Sequence, residues 1–324
     1  MLKSNFYIAK SVVERVYASL SEKNLLSKYE DIFDQQLAEG ILEPVDLKTI
    51  DVNSCVWIPH RPVIKQDENV TTKIRIVLNC SFKIGNSLSI NQCAFPGLDL
   101  FSDLLGLLLN VRSNRFCVLA DIRQAFLQIK LSEESDRNIF SILWKKGEDL
   151  IAYRYQTIVF GFISSPFILH FVIKNHLSKF PMDECTKVLL SNLYVDNLFF
   201  TGNSELKLED LYKLSYERML GGGFELRSWA SNNAYLNECF SLDNRGVSHN
   251  SGFEKMLGYL FSTRCDKIKL ADFSIEISAC PTKRFILSQI SKIYDPLGLY
   301  FPVTVRGKVL MREIWCKKLE CKGS

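Results

Sequence analysis

The sequence predicts an α+β chain in which an antiparallel sheet is backed by helices, and three observations carry that prediction. Helical spacing fills the first forty residues, short β-branched runs take over near Trp57, and two apolar arms flank the polar pair Asp196–Asn197 in the manner of a β-hairpin.

In order along the chain, residues 24–40 place Leu26, Tyr29, Ile32, Phe33 and Leu37 at steps of three and four, with Asn24 as the expected N-cap and Gly40 as the C-terminal cap. Val63–Ile64 and Ile74–Leu78 read as the arms of a hairpin around the polar stretch Asp67–Thr72. Phe116–Ala120 is a short apolar strand that ends at Asp121. Ser164–Phe180 reads as a helix, capped by Ser164 or Ser165 and with Pro166 in its first turn. Leu193–Val195 and Leu198–Phe200 are the arms around Asp196–Asn197, and Gly221–Gly223 is a turn between a helix over Leu206–Leu220 and a further strand.

Composition narrows the function classes. The 324 residues carry 40 Lys and Arg against 36 Asp and Glu, a net charge of +4, which falls short of a dedicated polycationic nucleic-acid binder. Residues 303–324 hold six basic and two acidic side chains, so the excess lies in that tail and the rest is formally neutral. Ten cysteines form no CxxC pair and the four histidines (His60, His170, His176, His249) do not fall at zinc-finger spacing, so packed intracellular thiols are expected instead of a zinc site or a disulfide framework. Lys3, Lys10 and Glu14 interrupt any apolar leader, and the apolar stretch Leu104–Val111 is shorter than the roughly 20 residues a bilayer span needs. No membrane partner and an intracellular, cytoplasmic location are expected.

A single aspartate at a strand end is ordinarily a turn former. Two of them on separate strands, each anchored by apolar neighbours, are what nucleotidyl transfer requires, because two divalent ions roughly 4 Å apart must be held between the attacking hydroxyl and the leaving pyrophosphate. Mg²⁺ takes such oxygen donors together with phosphate and water.

Five segments occur in order: Arg75-Ile-Val-Leu-Asn79, Leu119-Ala-Asp121-Ile-Arg-Gln-Ala-Phe126-Leu-Gln-Ile129, Phe160-Gly-Phe-Ile-Ser-Ser-Pro166-Phe167, Tyr194-Val-Asp196-Asn197 and Met256-Leu-Gly-Tyr259-Leu260. This series resembles the reverse transcriptases. The Phe160–Gly161 pair before Ser-Ser-Pro-Phe, and Tyr294-Asp-Pro-Leu-Gly-Leu-Tyr-Phe-Pro302 followed by a basic helix, are similar to the Bel/Pao group of LTR retrotransposons. The resemblance runs from about Tyr7 to the end of the chain. It implies a right-hand polymerase fold: residues 1–50 as a helical lead to the fingers, 51–262 as fingers and palm with a primer-grip hairpin, and 263–324 as the truncated start of a thumb or connection region.

The resemblance also implies roles. Asp121 and Asp196 are the catalytic, metal-binding carboxylates, with Asn197 a weakened third ligand. Arg75 contacts the triphosphate, and Lys65 or Lys73 adds a second phosphate cation or is a solvated strand charge. Phe126 is the steric gate against a ribose 2′-hydroxyl. Phe160 and Gly161 line the nucleotide, Gly161 by letting backbone come close. Met256, Leu257, Gly258 and Tyr259 form the primer grip, or an ordinary packed strand. The implied cofactor is Mg²⁺, two ions, with Mn²⁺ as substitute; the implied partners are deoxynucleoside triphosphates and an RNA or DNA template with its primer.

The chain departs from the wider pattern at four positions: Asn197 stands for a frequent aspartate, Phe160 for a glutamine, Asn79 for an aspartate, and Arg227 is the nearest cation where many polymerases carry a lysine. Arginine stabilises charge but is a poor proton donor. Nothing in the sequence resembles an aspartic-protease, ribonuclease H or integrase carboxylate set, so either a truncated element copy or a piece of a longer polyprotein is expected. Two functions follow: RNA-directed DNA polymerase, or a decayed or domesticated chain that keeps the fold and binds nucleic acid without catalysis.

Overall fold

A computed structural model describes residues 4–52, 55–64, 74–246, 253–278 and 280–317. Its described strands are β1 (Leu42–Val45), β2 (His60–Ile64), β3 (Ile74–Leu78), β4 (Phe116–Ile122), β5 (Ser141–Lys146), β6 (Asp149–Tyr155), β7 (Leu193–Tyr194), β8 (Asn197–Gly202), β9 (Leu226–Ser231), β10 (Phe253–Met256), β11 (Tyr259–Ser262) and β12 (Lys267–Leu270). The chain divides into two compact units. The first comprises Met1–Leu100, Ile122–Met182 and Arg218–Glu225; the second comprises Phe101–Asp121, Asp183–Glu217 and Leu226–Ser324. The expected α+β class holds as a mixed architecture with antiparallel sheets, and no described helix is long and apolar enough to cross a membrane.

The first unit opens on two helices, Phe6–Glu22 and Leu26–Ala38. Asn24 does not cap the second helix. It closes the first, at φ +55°, where the Asn24 N–H reaches the Ser21 carbonyl and the Leu25 N–H reaches that of Leu20. Gly40 ends the second helix in the same way, with Gly40 bonding to Leu37 and Ile41 to Gln36. Both are left-handed C-terminal caps, a conformation asparagine tolerates nearly as glycine does, so a residue that reads as a starter can act as a stop.

Three antiparallel strands in the order β1-β6-β5 carry these helices, with Leu42 opposite Tyr155 and Ser141 opposite Arg154. The expected hairpin is present as β2 and β3, His60 opposite Leu78; the stretch Asp67–Thr72, Lys65 and Lys73 lie outside the described residues. Trp57, Trp144, Tyr29 and Phe33 fill the core, and the Asn5 side chain holds both the N–H and the C=O of Trp57. In the helix Ser165–Leu177 Ser164 stands at the N-cap as expected, but its side chain makes no capping bond: Ser164 donates to the Phe95 carbonyl at 2.6 Å and Ser165 to that of Val159 at 2.7 Å, so both tie the helix start to neighbouring backbone.

In the second unit the sheet order is β7-β8-β4-β9, and β10, β11 and β12 form a separate antiparallel meander. Leu119 and Phe199 from the first sheet and Met256, Tyr259 and Phe261 from the meander share one buried cluster. Tyr212, Trp229 and Phe240 form another, with ring centroids 4.6–5.7 Å apart.

His60 is buried in the first unit's aromatic core. Its Nε2 lies 2.8 Å from the Leu143 carbonyl, which only accepts, so Nε2 carries the proton and Nδ1 accepts from the Tyr29 hydroxyl at 2.8 Å. Burial drives its pKa down to about 4 from 6.5, opposed by the Leu143 bond. Between these values the unfolded chain binds a proton that the folded chain refuses, so this contribution is full above pH 6.5 and is lost as pH falls towards 4. The destabilisation caused by His60→Ala is therefore expected to be larger at pH 7.5 than at pH 5 by about 2 kcal/mol, measured by urea unfolding of the two proteins.

Candidate active site

β4 is buried along its whole length on both faces, from Phe116 to Ile122, except at Asp121. It pairs with β8 without interruption from Phe116 opposite Gly202 to Asp121 opposite Asn197. Side chains alternate, so Cys117, Leu119 and Asp121 share one face of β4, and Phe199 and Asn197 share the same face of β8. Asp121 is the continuation of a core face at the point where the core ends.

The hairpin that carries Asp196 differs from expectation by one residue. Tyr194 pairs with Asn197, so the two-residue turn is Val195–Asp196 and Asn197 is already the first residue of β8. Val195 has φ +55°, a left-handed conformation costly for a β-branched side chain. The Asn197 side-chain amide donates to Asp196 Oδ1 at 2.8 Å. A second carboxylate at 197 would face Asp196 across that short contact as a like charge.

Arg227, on β9 beside β4, donates through Nε to Asp121 Oδ2 at 3.1 Å. A further acid, Glu254 on β10, was not singled out by its sequence. It shares a strand face with Met256, which packs into the cluster containing Leu119 and Phe199. Burial, then the Asp121 charge, raise the Glu254 pKa from 4.5 to about 7. The only signal in the sequence is a charged residue on the inward phase of an alternating strand, two positions before a buried methionine.

The donor set is hard oxygen, as Mg²⁺ prefers, with water and phosphate completing such shells. It is thin in number: among the described residues no group of three His, Cys, Asp or Glu side chains is disposed to hold a metal ion. In the expected primer grip, Met256 and Tyr259 point into the core with no exposure, and Leu257 and Gly258 form the turn between β10 and β11.

Among the described residues, four expected site residues belong to the first unit. Arg75 is exposed on β3. Phe126 is buried and meets the Phe160 ring edge-on, centroids 4.7 Å apart, while Phe160 is 40% exposed. Gly161 has φ +97°, and a Cβ there would come within 2.7 Å of the Leu78 carbonyl. The fold itself therefore demands glycine at 161, independently of any nucleotide.

The chain resembles known proteins in two ways. Residues 282–323 match a family described as the Pao retrotransposon-like RNaseH-like domain, a stretch that includes Tyr294–Pro302. Where the sequence reading expects a thumb or connection region, the matched description is thus RNaseH-like. No curated protein matches. Among solved structures, the foamy viral protease–reverse transcriptase dRH in complex with double-stranded DNA matches with TM-score 0.53 and 16% identity, over 81% of this chain and 38% of that one. The foamy viral protease–reverse transcriptase in complex with RNA/DNA hybrid matches with TM-score 0.51 and 17% identity, over 82% and 30%. The fold is thus similar to that of a retroviral reverse transcriptase, and the chain spans less than two-fifths of these neighbours' length.

The charge on Glu254 is expected to cost stability. Its folded pKa lies above the unfolded one, so its contribution is full below pH 4.5 and is lost as pH rises through about 7. Glu254→Gln should stabilise the chain at pH 8 by about 1 kcal/mol, less than the full shift implies because the side chain is partly solvated, and should leave it unchanged or weaker at pH 4.5, as read by denaturant midpoints.

Proposed function

We propose that this chain is the polymerase core of a Bel/Pao-like retroelement, an RNA-directed DNA polymerase with fingers, palm and primer hairpin. The observation that carries the reading is the unbroken β4–β8 pairing, which sets Asp121 level with Asn197 and beside the strained Val195–Asp196 turn. The likeness in fold to foamy viral protease–reverse transcriptases supports it, as does the Pao retrotransposon-like match at 282–323.

In this reading Asp121 and Asp196 hold two Mg²⁺ ions, for which Mn²⁺ substitutes, and Asn197 offers an amide oxygen. When bound, such ions polarise the phosphoryl oxygens and lower the pKa of the attacking hydroxyl. Asp121 and Asp196 are the fixed negative charges that the site orders in advance, and Val195 strain holds Asp196 at the turn apex. Arg227, already at Asp121, is a permanent cation suited to the triphosphate side, and Arg75 supplies a planar fork for phosphate. Lys65 or Lys73 adds a further cation. Phe126 excludes the ribose 2′-hydroxyl, and its edge-on contact with Phe160 stiffens the ring for that purpose. The partners are deoxynucleoside triphosphates and a primer annealed to an RNA or DNA template.

A second reading is nucleic-acid binding without catalysis. One observation favours it: Arg227 neutralises Asp121 directly, and Asn197 removes a charge where a third carboxylate is frequent.

Primer extension on a poly-A template separates the two. Wild type should extend with Mg²⁺ or Mn²⁺, and Asp121→Asn or Asp196→Asn should reduce extension about a hundredfold or more; a wild type that binds primer–template without extending it establishes the second reading. In the same assay Asn197→Asp should lower the Mg²⁺ needed for half-maximal extension by about fivefold or more, the scale of a charged contact. Without divalent ion it should also lower the thermal midpoint, because the 2.8 Å amide contact becomes a repulsion.

The sugar gate has its own readout. Phe126→Val should raise incorporation of ribonucleotides relative to deoxynucleotides by about tenfold or more, the scale on which pocket shape discriminates. An unchanged ratio in an extending enzyme removes Phe126 from that role.

A further inference from the structure

The Leu257–Gly258 turn is intrinsically awkward. Both residues lie in the left-handed region, at φ +48° and +95°, the pairing a tight hairpin prefers but one that suits Asn-Gly better than Leu-Gly. A turn strained in this way needs an external restraint to keep one geometry. The second unit supplies one from the Tyr294–Pro302 motif, which the polymerase reading leaves without a role.

Three contacts make the restraint. The Tyr294 ring lies directly on Gly258, where an added Cβ would come within 2.1 Å of Cδ1 and 2.4 Å of Cε1, so only glycine admits it. The fully buried Tyr259 donates its hydroxyl to Asp295 Oδ1 at 2.6 Å and accepts from the Leu297 N–H at 2.9 Å. Asp295 in turn accepts from the N–H groups of Leu299 at 3.0 Å and Tyr300 at 2.7 Å, which folds the motif into a closed loop around one carboxylate. Burial alone would raise the Asp295 pKa; the bonds from Tyr259 and from the Tyr300, Leu299 and Gly298 backbone outweigh it and hold the carboxylate below its ordinary range. Leu257 and Leu297 both pack on the cluster of Met256, Tyr259 and Phe261.

We infer that the Tyr294–Pro302 motif is a brace for this turn, and that Tyr259 and Asp295 are positioning residues that fix Leu257 and Gly258 for contact with the primer end. The inference rests on the polymerase reading. A carboxylate already engaged by one hydroxyl and backbone amides is committed to holding structure, which accounts for the one acidic side chain among residues 294–302.

The test uses the full chain, its extension kinetics and a fluorescent primer–template duplex. Tyr259→Phe and Asp295→Asn should each raise KM for primer–template about tenfold, the loss of a hydrogen bond to a charged group, while KM for the deoxynucleotide stays within about twofold. The double variant should be no worse than the poorer single, because one removes the donor of the Tyr259–Asp295 bond and the other the charge on its acceptor. A thermal midpoint close to wild type for Tyr259→Phe shows that the fold is kept; if it falls steeply, Asp295→Glu, which retains a charged acceptor for Tyr259, should give a primer–template KM closer to wild type than Asp295→Asn does. An equal rise in both KM values, additive effects, or no change in either overturns the brace while leaving the polymerase reading intact. A wild type that neither extends nor binds the duplex overturns both.

Discussion

The register between β4 and β8 is the constraint on which the second unit depends. Side chains alternate with a period of two, and Leu119 and Asp121 lie on one face of β4 with Phe199 and Asn197 level with them on β8. A slip of β8 by one residue would turn Phe199 out of the cluster it shares with Leu119, Met256 and Tyr259, and would take Asn197 away from Asp121. The apolar face thus sets the register, and the register sets where the carboxylate emerges. The position of Asp121 is inherited from the packing of Cys117 and Leu119.

Charged and polar groups meet at that point. Arg227 donates to Asp121, the neutral amide of Asn197 donates to Asp196, and Glu254 brings a further acid from β10 whose pKa is raised to about 7 by burial and then by the Asp121 charge. In a partly desolvated place a carboxylate is favoured by a cation or a donor and disfavoured by a like charge. Arg227 and Asn197 act in the first sense on Asp121 and Asp196, and Asp121 acts in the second sense on Glu254.

The sequence made the large features legible because they follow from periodicity. Both N-terminal helices, the β2–β3 pair, the strand into Asp121 and the two arms around Asp196 are all present. What it obscured was decided by backbone conformation and by distant partners. Asn24 reads as a starter because capping statistics favour it, yet the left-handed stop needs the same residue type. The turn at Val195–Asp196 lies one residue early because apolar arms show that a hairpin exists without showing which residue takes a positive φ. Gly161 answers to the Leu78 carbonyl, a contact between segments far apart in sequence. Glu254 escaped notice because its neighbour Asp121 is supplied by another sheet, and no local pattern reports that.

The C-terminal segment shows how a family description and a local chemistry can diverge. Residues 282–323 resemble an RNaseH-like domain, but the acidic residues in that stretch are only Asp295, Glu313 and Glu320. Asp295 is engaged by a tyrosine hydroxyl and two backbone amides, which leaves it poorly disposed to take a metal ion. Two-metal nuclease chemistry needs several convergent carboxylates, so the described part of this stretch, two helices joined by the Tyr294–Pro302 loop, lacks the donors for it. Its described contacts run to the β10–β11 turn through Tyr294, Asp295 and Leu297, and to residues 274–276 through Gln289 and Lys292. The likeness to the Pao retrotransposon-like family covers residues 282–323 alone, and the aspartate that the structure describes in that stretch is one that holds a loop together.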